Sequence, residues 1–249
     1  MAAALETREF VLHFQPIVSR GGDLVSIEAL LRWRRPTGLL VARQFFARAQ
    51  SGGVLVHIDR ELVVEGCRFA RELQRSGYPH LRLAVNVPLA ELLPSGGGTD
   101  WLRTAISESG LRPDSLEIEV REQEIRTSDP EVVRLFEHLA STGLHVTLDD
   151  FWAVAGDEGS IGLPAIRAVK LDLWSNTGSA ASRDALLRAA RVARKRGVEV
   201  VAKRVETEYE AQLGNELDVD AYQGFVHGVP TSAGELRRDL VYLVESDAA

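Results

Sequence analysis

The sequence predicts an α/β fold, a (β/α)8 barrel whose first strand runs antiparallel to the others. Three observations predict it. Short runs rich in Val, Ile and Leu alternate with longer segments of helical period. Eight such runs and six such segments within 249 residues match one barrel of ordinary size. The first two runs are separated only by Ser19-Arg20-Gly21-Gly22-Asp23, which is too short for a crossover helix, so they must pair as a hairpin. A doubly wound open sheet is the rival, but no G-x-G-x-x-G turn follows a strand. Residues 1–249 are expected to form a single domain with its core over about 8–235.

In order, the strands fall near Phe10–Ile17, Leu24–Trp33, Leu81–Val87, Leu116–Arg121, His145–Asp149, Ala168–Asp172, Val198–Ala202 and Ala221–Phe225. Between them lie the amphipathic stretches ARQFFARAQ, DRELVVEGCRFARELQRSG, WLRTAISESG, PEVVRLFEHLASTG, ASRDALLRAARVARKRG and TEYEAQLGNEL. Gly77, Gly110, Gly143 and Gly197 stand where helix C-caps are expected. Pro94–Thr99 and Ala153–Gly162 are the loosest stretches in composition and are expected to be mobile loops.

With 45% hydrophobic and 26% charged residues, the chain can bury a substantial core. A net charge of −7 argues against a surface that grips a nucleic acid polymer, so an anionic ligand must be held by local cations. The lone Cys67 cannot form an intrachain disulfide, and its helical, apolar setting marks a structural thiol. The six His residues show no metal-ligand spacing. No signal peptide and no 18-residue apolar run is present, so a cytoplasmic protein without a membrane segment is expected.

The run Ser26–Trp33, SIEALLRW, places Ile27, Ala29, Leu31 and Trp33 on one strand face and Glu28 and Arg32 on the other. In a barrel, reacting groups sit where strands end. Glu28, Asn86, Glu119, Asp149, Asp150, Lys170 and Gln223 all lie at or near the ends of proposed strands. Singly, each has a plain explanation: Asp149-Asp150 as a turn, Asn86 as a cap for a helix near Leu89, Lys170 as a solvated side chain. Together they converge on one mouth. Four clustered carboxylates raise one another's pKa unless a cation joins them. Such an oxygen-rich set suits Mg2+ or Mn2+, and phosphate-ester hydrolysis is a natural use.

These residues are quoted in motifs that resemble the EAL domain of cyclic di-GMP phosphodiesterases. FQPIV (Phe14–Val18), EALLRW (Glu28–Trp33), AVNV (Ala84–Val87), LEIE (Leu116–Glu119), LDDF (Leu148–Phe151), VKLD (Val169–Asp172), VET (Val205–Thr207) and QG (Gln223-Gly224) occur in the family's order. The resemblance implies a TIM-like barrel and hydrolysis of cyclic di-GMP to linear pGpG with Mg2+ or Mn2+. It implies Glu28, Asn86, Glu119 and Asp149 as ligands of one metal and Asp150 as a ligand of a second. Lys170 would orient the attacking water, and Glu28, Lys170 and Glu206 carry over as the catalytic set. Gln15, Arg32, Asp172 and Gln223 would meet the ligand, Arg32 at a phosphate. Glu122 would steady the loop after Asp149-Asp150-Phe151.

The chain departs from the family pattern in three places. Where Ala-Glu-Gly-Val-Glu is usual, it reads Ala202-Lys203-Arg204-Val205-Glu206, so a cation replaces the Glu that serves the second metal. Arg121 replaces a Thr, and Trp152, Val154 and Asp157 replace small or hydroxyl residues after the Asp pair. Lys203 and Arg121 are therefore expected to repel a second divalent ion and to contact the ligand's phosphates, leaving one metal or none. Three functions follow: a cyclic di-GMP receptor with reduced hydrolysis, signalling through a protein partner or an attached domain; an active phosphodiesterase; and a ligand-independent scaffold that uses an exposed Trp152 loop. A homodimer is open under each.

Overall fold

A computed structural model describes residues 9–49, 54–152, 159–173 and 180–247. Its strands are β1 (Phe10–Ser19), β2 (Leu24–Arg35), β3 (Gly38–Val41), β4 (Arg82–Asn86), β5 (Leu116–Arg121), β6 (His145–Asp149), β7 (Ile166–Asp172), β8 (Glu199–Lys203), β9 (Ala221–Tyr222) and β10 (Thr231–Ser232). Eight of them close a barrel in the order β1-β2-β4-β5-β6-β7-β8-β9, with β9 returning to β1. Every pairing from β2 through β4 to β9 is parallel, whereas β1 is antiparallel to both β2 and β9. The barrel and its reversed first strand are thus as the hairpin in the sequence requires.

The short strands β3 and β10 lie outside the eight. They pair antiparallel with β2 and β1 respectively, and neither was expected. The helices are α1 (Ala42–Ala49), α2 (Val54–Arg75), α3 (Leu89–Leu92), α4 (Asp100–Ser109), α5 (Pro130–Ser141), α6 (Ala180–Lys195), α7 (Glu208–Leu217) and α8 (Ala233–Asp247). The closing helix α8 extends beyond the core limit expected near residue 235, and its Leu236 and Leu240 are buried. The last strand is shorter than expected: it ends at Tyr222, and Phe225 is exposed. All four glycines expected to end helices have positive φ, as the left-handed cap requires.

Alternation along the strands sorts two chemistries. Ile27, Leu83, Val85, Ile118, Val146, Leu148, Val169 and Val200 are buried in the main apolar core with helix residues such as Phe69, Phe136 and Leu186. Phe14 of β1 stacks at a tilt on Phe69 of α2, with ring centroids 4.6 Å apart. Cys67 of α2 belongs to the same layer, and burial pushes its thiol up to about 12, which suppresses the nucleophilic thiolate. The opposite, inward faces carry the polar residues. Near the strand starts, Arg82 pairs with Glu117 and Glu199, and Ser26 donates to Glu117, forming a polar floor beneath the mouth.

Among the described residues, no helix is long and apolar enough to cross a membrane.

Gly224 shows how closely the last strand must seat. A Cβ there would lie 2.2 to 2.6 Å from backbone atoms of Val205, while Val205 N–H donates to Gln223 O and Val226 N–H to Val205 O. No flexible side chain can yield. Gly224→Ala is expected to lower unfolding free energy by about 1–3 kcal/mol, as overpacking does; a urea midpoint equal to wild type would show that this contact relaxes freely.

Candidate active site at the barrel mouth

Register brings the inward-facing residues together. Gln15 of β1 stands opposite Glu28 of β2, and Asn86 of β4 stands beside Glu119 of β5. From β7, Lys170 reaches across to Glu28, with Nζ 2.9 Å from Oε2, and ion-pairs with Glu119. Asn86 Nδ2 donates to Glu28 Oε1 at 2.6 Å, and Gln223 Nε2 donates to Glu28 Oε2 and to Gln15 Oε1. Gln15 in turn donates to Gly228 O at 3.1 Å. Asn86 is therefore committed to Glu28 rather than to capping α3, whose first N–H, Leu89 N, is met by Glu124.

The Asp pair forms a second group around a different lysine. Lys203 Nζ lies 2.5 Å from Asp149 Oδ1 and 2.6 Å from Asp150 Oδ1. Asp150 has φ 51°, a left-handed turn that lets consecutive carboxylates reach one ammonium instead of opposite sides of a strand. Lys203 thus points into the mouth, away from Glu206, which is exposed on the loop after β8. Next to Lys203, Arg204 has φ 60° and donates from Nη1 to Asp172 Oδ2 at 3.2 Å. Asp172 is thereby tied to the rim.

Glu122 accepts from Trp152 N–H at 2.8 Å and from Ser160 Oγ at 3.2 Å, so one carboxylate holds residues on either side of 153–158. Val154 and Asp157 lie outside the described residues. Trp152 itself is half-buried rather than exposed. Arg32 is half-buried, and among the described residues its side chain donates only to the Leu31 carbonyl. Arg32 and Arg121 line a cavity of about 560 Å³ that also takes in Glu28, Asn86, Glu119 and Glu124. Arg121 is exposed and makes no hydrogen bond or ion pair with a described residue.

The charges do not balance evenly. Burial opposes ionisation of Glu28, but Lys170 and the amides of Gln223 and Asn86 outweigh it, and its pKa lies below the usual carboxylate value. Glu119 goes the other way: burial, then the charge of Glu28, push it up to about 8 despite Lys170. One ammonium serves two buried carboxylates there, and Glu119 carries the surplus. Its Oε1 touches Lys170 without an aligned hydrogen bond. Burial works against a charged Lys170, yet Glu119 and Glu28 raise its pKa above the ordinary lysine value. Lys203 is raised too, with Asp149 the main counterweight to burial.

A cation beside Glu28, Asn86 and Glu119 would neutralise that surplus, so this part of the mouth has the donor chemistry of a divalent site. The Asp149-Asp150 oxygens, like those of Glu28 and Glu119, are already met by an ammonium, here that of Lys203 at the more exposed rim. Among the described residues, no group of three or more His, Cys, Asp or Glu is spaced to hold a metal ion.

Comparison with known proteins assigns the barrel. The EAL domain model matches residues 1–230. This chain belongs to the EAL domain family. The EAL chain is 32% identical to the bifunctional diguanylate cyclase/cyclic di-GMP phosphodiesterase MucR of Pseudomonas aeruginosa over 94% of its length and 35% of MucR. It is 31% identical to the cyclic di-GMP phosphodiesterase NbdA of the same organism, over 95% of this chain and 31% of NbdA. It therefore spans about a third of these curated relatives. The PaMucR phosphodiesterase in complex with c-di-GMP superposes with a TM-score of 0.85 at 29% identity, covering 94% of this chain and 97% of that one. The FimX EAL domain from Pseudomonas aeruginosa bound to c-di-GMP shares the fold, with a TM-score of 0.79 at 21% identity over 92% and 94% of the two chains.

Sequence reasoning missed Glu124 at the cavity wall and the role of Glu117. By alternation Glu117 shares a face with Glu119, but it belongs to the floor, two residues deeper. The pairing of Glu117 with Arg82 of the adjacent strand was the available signal.

Because Glu119 holds its proton more tightly folded, at about 8, than at its ordinary 4.5, its contribution to stability is full below about 4.5 and is lost as pH rises through about 8. In chelator, the unfolding free energy of wild type should therefore fall between pH 5 and 8. Glu119→Gln should flatten that slope, as read from urea midpoints; an equal slope in both proteins would place the surplus charge elsewhere.

Proposed function

We propose that this EAL domain binds cyclic di-GMP as a receptor or regulatory module in which hydrolysis is lost or strongly reduced. The observation that carries the reading is Lys203, whose ammonium contacts both Asp149 and Asp150. Hydrolysis by two metals clamps the attacking and leaving oxygens together. A fixed ammonium about 4 Å from an incoming cation opposes it by roughly 4 kcal/mol per unit charge pair at an effective dielectric of about 20.

Binding is less affected than turnover. Arg32 and Arg121 line the same cavity, and guanidinium groups pair with phosphate oxygens through parallel hydrogen bonds. Glu28, Asn86 and Glu119 would hold one Mg2+ or Mn2+, which would supply positive charge to a phosphate oxygen. Lys170, fixed by Glu28 and Glu119, is the group placed to hold a water by donating a proton toward it, while Gln223 and Gln15 keep Glu28 oriented. Glu206, exposed, is remote from this set in hydrogen bonding. Signalling would then pass to a protein partner or an attached domain.

The second reading, an active phosphodiesterase hydrolysing cyclic di-GMP to pGpG, is favoured by the unbroken Glu28–Lys170–Glu119 arrangement with Asn86 and Gln223. The two separate cleanly in one assay. Purified protein with cyclic di-GMP should show saturable heat in titration calorimetry and, with Mg2+ or Mn2+, no more pGpG by chromatography than Glu28→Ala. Lys203→Glu should raise Mn2+-dependent turnover at least about tenfold, equivalent to removing about 1.4 kcal/mol of barrier. Product from wild type well above the Glu28→Ala control would establish the enzyme instead.

A further inference from the structure

The mouth cavity is not centred on the carboxylates alone. It runs outward between β2 and the helices that follow, where Leu31, Leu62 and Val63 form an apolar wall and Arg43 stands at the start of α1. Arg43 is exposed, and its side chain makes no hydrogen bond or ion pair with a described residue. It comes from an ordinary amphipathic helix, and nothing in the barrel's charge network needs it. An uncommitted guanidinium beside an apolar wall, on the same cavity as Arg32, is what a flat, hydrogen-bonding aromatic group requires: a surface to lie against and a donor fork at its edge.

We propose that Arg43 is a base-reading residue that selects guanine over adenine, its guanidinium donating to guanine O6 and N7 while the purine lies along Leu31, Leu62 and Val63. The proposal deepens the cyclic di-GMP reading and rests on it for the ligand's backbone. The chemistry decides between bases. Guanine presents two acceptors along that edge, which match two N–H donors of arginine; adenine presents one acceptor and an amino donor that meets the arginine donor to donor. Arg32, deeper and closer to Glu28, remains for phosphate, so the two arginines divide the ligand between them.

The test measures dissociation constants of the whole chain for cyclic di-GMP and cyclic di-AMP by titration calorimetry in EDTA, for wild type, Arg43→Ala, Arg43→Lys and the distant surface control Arg103→Ala. Arg43→Ala should weaken cyclic di-GMP binding roughly tenfold to a hundredfold, the range of one bidentate arginine–guanine contact, and leave cyclic di-AMP nearly unchanged, so that discrimination collapses. Arg43→Lys, which keeps the charge but not the fork, should recover only part of it; Arg103→Ala should match wild type. Equal losses for both dinucleotides would reduce Arg43 to a general positive charge and overturn the base-reading role, as would no loss for either. Should wild type bind no cyclic dinucleotide either in EDTA or with Mg2+, the receptor reading falls, and pGpG becomes the probe for Arg43. An Arg43-dependent affinity for pGpG would keep the guanine site, and its absence would remove both.

Discussion

One buried ammonium holds the mouth of this barrel together. Lys170 is 2% exposed and serves carboxylates from two other strands, Glu28 and Glu119. Removing ions from water costs several kcal/mol each, and removing one partner of such a buried pair typically costs about 3–5 kcal/mol. Lys170, with Asn86 and Gln223, keeps Glu28 ionised inside the barrel, and Glu119 and Glu28 in turn keep Lys170 charged. That mutual dependence fixes the strands' inward faces and leaves Glu28 with a full set of donors, from Lys170, Asn86 and Gln223.

Lys203 does a similar thing with a different result. It is also a strand-borne lysine joined to two carboxylates, but it is 15% exposed, and its partners are neighbours in sequence. Lys170 joins carboxylates from separate strands in the interior; Lys203 joins consecutive carboxylates at the rim. The two lysines stand on adjacent strands, at positions two registers apart, since Lys170 pairs with Val201 and Asp172 with Lys203.

Much of this could be read in the sequence because strand alternation is a strong constraint. Glu28, Asn86, Glu119 and Lys170 had to share the inner face once the strands were placed, and the hairpin at Gly21-Gly22 required the reversed β1. Short elements such as β3 and β10 carry too few residues to show a period, and the apolar residues of α8 lie beyond the last strand that would have framed it. Alternation gives face but not depth, which is why Glu117 and Glu119 looked equivalent. It is also silent about turns: the left-handed Asp150 makes the double contact with Lys203, and no periodicity announces it. Helical period placed ARQFFARAQ as an amphipathic stretch but could not show Arg43 on a cavity wall, since that wall is assembled from β2, α1 and α2 together.

The reversed direction of β1 has a consequence for wiring. In a barrel of uniformly parallel strands the chain enters at the floor, far from the reactive end. Here Phe10 pairs with Trp33 near the far end of β2 while Val18 pairs with Leu24 near its start, so the polypeptide arrives at the rim of the mouth and travels down. The backbone at Glu9 and Phe10, where Arg34 N–H bonds Glu9 O and Trp33 Nε1 bonds the Glu9 carboxylate, therefore shares its side of the barrel with the mouth cavity. Tension or displacement applied there would be felt through β2, the strand that carries both Glu28 and Arg32, before it reached the floor.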